Sequence, residues 1–204
     1  MDWTYYNSND RELYEETYEY LTDTFKAFAD AIIPRSPELA QQYGRIQYYG
    51  ALDQYTGDFI ILSLNSLAVP MALPVADTLN MAAEQFLYRE REERKAGEEF
   101  PGSSAFFSLS PIERLQVTGM LFQPEGIAYF PALDQTSQEE VFLVLPFLIR
   151  LSMMGYYSEW AGYGTTRQNP PDQRTLEYYP ESWGQVGYPG PSPGYRLAGA
   201  YSYT

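Results

Sequence analysis

An all-α fold is what the sequence predicts: a single helical domain of about five to seven helices with a long irregular Gly/Pro/Tyr-rich C-terminal segment. Three observations carry this reading. Apolar residues recur at helical spacing from about residue 11 to Tyr157. Helix start signals stand at Ser110-Pro111-Ile112-Glu113 and again at Ser137 to Glu140. Beyond Tyr157 the periodicity stops and Gly, Pro and Tyr take over. The chain therefore divides into a helical body over 1–157 and an irregular segment over 158–204, packed on the body or on a partner.

The first helix is expected over 11 to about 33, because Leu21, Phe25, Phe28 and Ile32 fall on one stripe. Glu12, Glu15, Glu16 and Glu19 lie in its opening turns, where the helix dipole favours negative charge, and they read as a solvated face. Pro34 ends it. One or two further helices are expected from Pro37 onward, weakened by Gly44, Gly50 and Gly57. Asp53 to Asp58 superficially resembles the start of a calcium loop, but alternating oxygen ligands and a terminal Glu are out of register.

Pro70 and Pro74 bracket an expected turn, after which 76–88 reads as a helix turning Leu79, Ala83, Phe86 and Leu87 inward. The mixed-charge run 89–99 reads as its exposed end and a connector. Ser110 as N-cap, Pro111 at the first helical position and Glu113 closing a capping box open a helix to about Phe122. The last long helix, about 139–157, is apolar nearly all round and is expected to be the buried central one, with Pro146 kinking it.

In the 204-residue chain, 45% of residues are hydrophobic, enough for a packed core, and the 20 tyrosines suit half-wet contact surfaces. The net charge of −14 disfavours nucleic acid and anionic lipid. Residues 155–204 hold four acids and three bases, so almost all the negative charge belongs to the body. Cys and His are both absent from the sequence, which removes thiolate nucleophiles, disulfides, Ser-His-Asp chemistry and the usual zinc sites. The longest apolar run, 141–149, is too short to span a bilayer and is followed by Arg150, so no transmembrane segment is expected. The N-terminus has neither a basic nor an apolar signal region, and a cytoplasmic location is expected, export together with a partner being the alternative.

Met153-Met154-Gly155-Tyr156-Tyr157-Ser158 is followed by Trp183, by Gly187-Tyr188-Pro189-Gly190-Pro191 and by Pro193-Gly194-Tyr195. This succession resembles the C-terminal signature of the gluconate 2-dehydrogenase subunit 3 family. Asp30-Ala31-Ile32-Ile33-Pro34 resembles that family's early pattern, while the middle of the chain matches only as helical. The resemblance implies a small accessory subunit of a large flavin dehydrogenase of the glucose-methanol-choline type, with FAD held by the partner and no cofactor in this chain. It implies no catalytic activity from this chain alone.

No catalytic, cofactor-binding or metal residues are assigned. The expected partner contacts are Tyr156, Trp160, Trp183, Tyr188, Pro189, Pro191 and Tyr195, with Gly155, Gly187 and Gly190 allowing close approach. Proline pre-sets the backbone, glycine admits close contact and tyrosine supplies area with a polar tip. The same residues can instead strap the protein's own helices together. Two further readings stand beside this one: a free-standing aromatic-rich module binding carbohydrate or protein, and a carboxylate-pair hydrolase, for which no cleft motif is visible.

Overall fold

The computed structural model describes residues 8–93, 104–123 and 135–191. These residues are all-α. Among them, five helices exceed two turns: α1 (Ser8–Ile32), α3 (Thr56–Asn65), α4 (Ala72–Glu93), α6 (Pro111–Leu121) and α7 (Gln135–Tyr157). Three shorter ones join them: α2 (Pro37–Tyr43), α5 (Ala105–Ser108) and α8 (Glu181–Val186). Tight 3-10 turns at Arg45–Tyr48, Ala51–Gln54, Ala161–Thr166 and Pro171–Gln173 fill the connections.

The expected stripe on α1 is the one that buries: Leu21, Phe25 and Phe28 lie in the core and Ile32 packs against it. Ala27, Ala29 and Ala31 are buried as well, so α1 is enclosed on more sides than its stripe implies. It touches α3, α4, α5, α6 and α7 and is the central helix. That overturns the central placement expected for 139–157. Alanine gives little hydrophobic signal yet lets neighbours approach closely, whereas the large apolar residues of α7 are shared between core and surface.

Glycine serves the same close approach in α3. A Cβ at Gly57 would stand 3.0 Å from the Lys26 backbone N. The core then gathers Ile60 and Leu64 of α3, Leu79 of α4, Phe106 of α5, Val117 and Leu121 of α6, and Leu145 and Leu148 of α7. Phe28 and Phe106 stack at 6.4 Å between ring centroids.

Two of the expected boundaries move. Pro74 sits in the first turn of α4, where a missing N–H costs no intrahelical bond, so that helix starts at Ala72 and not after the proline. Helix α7 begins at Gln135, which places Ser137 inside the helix and not at its cap. Helix α6 forms as its signals require: the Ser110 hydroxyl accepts from the Glu113 N–H while the Glu113 carboxylate accepts from the Ser110 N–H.

Buried polar groups tie these helices in register. The Asn80 amide donates to Thr24 Oγ1 of α1 at 3.0 Å, and its oxygen accepts from the Ser104 hydroxyl at 2.7 Å and from the Phe106 N–H at 2.9 Å. Arg114 of α6, also buried, donates to the carbonyls of Phe106, Phe107 and Ala27 and pairs with Asp30. Its guanidinium therefore ties α6 to the short helix α5 and to the last turns of α1.

Candidate interaction surface

From Ser158 the chain turns back over the body. The loop from Gly162 to Tyr178 closes on itself: the N–H groups of Glu177 and Tyr178 donate to the Gly162 carbonyl, and the Thr165 N–H donates to the Glu177 carboxylate. The Thr165 hydroxyl, which also donates to that carboxylate, and then the Thr165 N–H hold the Glu177 carboxyl below its usual range. A Cβ at Gly162 would lie 2.4 Å from the Tyr178 carbonyl oxygen, so this closure needs glycine.

Helix α8 then lies against the Arg45–Tyr48 turn. The Gln185 amide donates to the carbonyls of Ile46 and Tyr49, and the Gln47 amide donates back to the Gln185 carbonyl at 3.2 Å. The Gln54 amide donates to Glu181 at 2.8 Å. Gly187, at φ 67°, ends α8; the Tyr188 N–H reaches the Trp183 carbonyl at 2.8 Å and the Gly187 N–H reaches Gly184. This is a Schellman ending, and its accompanying apolar contact is the edge-on Trp183–Tyr188 ring pair at 4.9 Å.

The residues expected to reach a partner thus separate into two groups. Tyr156, Trp160 and Trp183 are at most 5% exposed. Tyr156 places its hydroxyl 2.7 Å from the Tyr49 carbonyl oxygen and 2.5 Å from Gln185 Oε1, and burial pushes its pKa up to about 12 against the opposing Gln185 hydrogen bond. Trp160 donates to the Tyr55 carbonyl and Trp183 to the Tyr157 carbonyl, each at 2.9 Å. Gly155 does permit a close approach, but by Phe59 of this chain: an added Cβ would stand 2.7 Å from that ring. Gly190, at φ 96°, is buried beneath Tyr179.

Tyr188, Pro189 and Pro191 are exposed, as is Gly187. Tyr195 lies outside the described residues. Tyr188 forms one wall of a concavity of about 490 Å³, whose other lining residues are Tyr157, Glu159, Trp183 and Val186.

That concavity continues onto a surface which the residue-by-residue reading missed. Leu143 is 67% exposed, Phe147 52% and Met154 59%. Pro146, Arg150, Met153 and Tyr157 are exposed beside them. At 100° per residue these seven positions span an arc of about 120° centred on Arg150. The opposite side of α7 carries the buried Leu145, Leu148, Ser152, Gly155 and Tyr156. A signal for this was present: Arg150 is the single charged residue between 141 and 158, and it marks the side that faces water.

A second hollow, about 250 Å³, lies between α1 and α3, with residues such as Tyr18, Leu21, Asp58, Ile61 and Gln168 in its walls. Among the described residues Asp58 is the sole carboxylate in that lining, so they assemble no pair of acids there. Among the described residues, no three His, Cys, Asp or Glu side chains gather as a metal-holding group. Among them also, no helix is long and apolar enough to cross a membrane.

The geometry defines an all-α protein in which residues 158–191 are strapped to the helical body and, among the described residues, the last long helix carries an exposed apolar face. Comparison with protein-family models, with curated proteins and with solved structures finds no match in any of the three.

Proposed function

We propose that this chain is a non-catalytic small subunit that binds and stabilises, or helps mature, a large FAD-dependent alcohol or sugar dehydrogenase of the glucose-methanol-choline type. The observation that carries the reading is the outer face of α7. Leu143, Phe147, Met153, Met154 and Tyr157 stand exposed together and run into the concavity at Tyr188, and a contiguous apolar patch of this kind is a feature of surfaces that bind other proteins. The resemblance of the 153–158 and 187–195 stretches to the accessory-subunit family supplies the class of partner. FAD would be held by that partner.

The test is co-expression of the tagged chain with a large flavin dehydrogenase of the same organism, followed by size-exclusion chromatography with flavin absorbance recorded. Flavin eluting with the tagged chain, and lost in Leu143→Asp on the exposed face of α7, is the expected result. Separate elution rejects the reading.

One observation favours a second reading. The concavity is walled by the rings of Tyr157, Trp183 and Tyr188 beside the Glu159 carboxylate, an arrangement on which a sugar face can stack. Saturable glycan binding by the isolated chain, without any flavoprotein, selects the free-standing binding module instead.

A further inference from the structure

We infer that the exposed face of α7 receives an amphipathic helix of a different protein, one that presents a carboxylate to Arg150 at the middle of an otherwise apolar stripe. This inference shares with the proposed function only the premise that the face is an interface. It does not require the partner to be a flavoprotein.

The spacing argues for a helix as occupant. Leu143, Phe147, Arg150, Met154 and Tyr157 follow one another at intervals of four, three, four and three. That is the repeat by which one helix seats its side chains between those of another. The stripe is about 21 Å long at the helical rise, enough for three to four turns of a partner. Met153 and Met154 supply flexible thioether side chains that adapt to a neighbour's shape.

Charge argues against a second copy of this chain. Pairing the stripe with itself, parallel or antiparallel in register, sets Arg150 against Arg150. It also brings together two chains of net charge −14 each. A carboxylate opposite Arg150 relieves the first conflict, and a less acidic partner relieves the second. The Arg150 guanidinium already lies 5.6 Å from the centre of the Phe147 ring, so it is held over the stripe and can meet an acid at its centre. Because Arg150 is the midpoint, an acid at the centre of the incoming stripe meets it in either chain direction.

Two synthetic helical peptides of about three heptads test this, each with leucine along the stripe; one has Glu at the central stripe position and the other Lys. Binding to the full chain is measured by fluorescence anisotropy, with the helical circular dichroism of every variant recorded. The Glu peptide is expected to bind about tenfold more tightly than the Lys peptide, and Arg150→Glu is expected to reverse that order. Phe147→Asp and Met154→Asp, both at exposed positions, should abolish binding of both peptides while leaving the dichroism unchanged.

Failure of both peptides to bind overturns the inference, as does equal affinity for the two. Binding that appears only after residues 192–204 are removed assigns the face to this chain's own terminus. Sedimentation as a dimer that Phe147→Asp dissolves assigns it to a second copy. Each of these outcomes is independent of whether flavin co-elutes, so the two readings fail separately.

Discussion

The Trp160 indole N–H donates to the carbonyl oxygen of Tyr55 at 2.9 Å, joining the start of the C-terminal segment to the residue that opens α3. Tyr55 holds a left-handed backbone, φ 53° and ψ 34°, which costs a residue with a side chain of this size free energy. The conformation is kept by what surrounds it: the Arg167 guanidinium lies 3.7 Å from the Tyr55 ring centre, and Phe59, one turn on, meets Trp160 edge-on. Trp160→Phe keeps an aromatic ring but removes the donor. A loss of about 1–3 kcal/mol in unfolding free energy is expected from urea titration. A neutral result would mean the Phe59 N–H, which also donates to the Tyr55 carbonyl, satisfies it alone.

Tyr156 fastens the same segment at a second point. Tyr156→Phe removes the hydroxyl shared between the Tyr49 carbonyl and Gln185, with an expected cost of about 1 kcal/mol. The pKa of Tyr156 is about 12 in the folded chain and about 10 in the unfolded one, so its contribution is complete below pH 10 and disappears as pH rises through 12. Thermal unfolding recorded between neutral pH and pH 12 should show a shallower alkaline decline in Tyr156→Phe than in the wild type.

Asp53 gives the opposite sign in acid. Burial by itself raises its pKa, but hydrogen bonds from Arg35 and the Gly50 N–H, with the Arg35 charge, outweigh burial and hold it below the ordinary range. An acid depressed on folding stabilises above its unfolded pKa and loses that stabilisation as pH falls through the folded one. Arg35 is 46% exposed, so Asp53→Asn should cost only about 0.5–1 kcal/mol at neutral pH. That difference should shrink as pH falls below the ordinary aspartate range, as chemical denaturation at each pH will read.

Two glycines make a matched pair. A Cβ at Gly50 would lie 2.6–2.8 Å from backbone atoms of Arg35, Pro34 and Ile33, none of which can swing aside. Gly119, exposed in α6, has nothing within 4 Å of an added Cβ. Gly50→Ala should therefore destabilise by about 3 kcal/mol or more. Gly119→Ala should stabilise by about 0.5–1 kcal/mol through its helix propensity, and melting temperatures of the two variants should move in opposite directions.

Asn80 is the hub of the buried polar network. Asn80→Ala strips partners from the Phe106 N–H, the Ser104 hydroxyl and Thr24 at once. A cost of about 2–4 kcal/mol is expected, with faster amide exchange at Phe106 as the local reading. If the Phe106 amide stays protected, water has replaced the side chain.

Much of the helical body was legible because its signals are local. The Ser110–Glu113 capping box, the Leu21–Phe28 stripe and the inward Leu79 and Ala83 each depend on residues within a few positions of one another. Pro74 was misread because proline is a breaker inside a helix but harmless in its first turn, and the difference rests on where the helix begins. Arg114 and Asn80 gave no sequence signal: their partners lie up to 87 residues away.

By itself the sequence determined the helical class, the strong negative charge, the absence of Cys and His, and the aromatic character of the C-terminal segment. Tertiary structure alone decided which aromatics stay in contact with water. Tyr156, Trp160 and Trp183 all carry a polar group on a large ring, and each found a carbonyl to satisfy it in its own chain, at Tyr49, Tyr55 and Tyr157. Leu143, Phe147 and Met154 were left outside because α7 offers large apolar residues on every side, and the body covers one of those sides. Composition fixes how much apolar surface a helix has; only packing against particular neighbours fixes how much of it is covered.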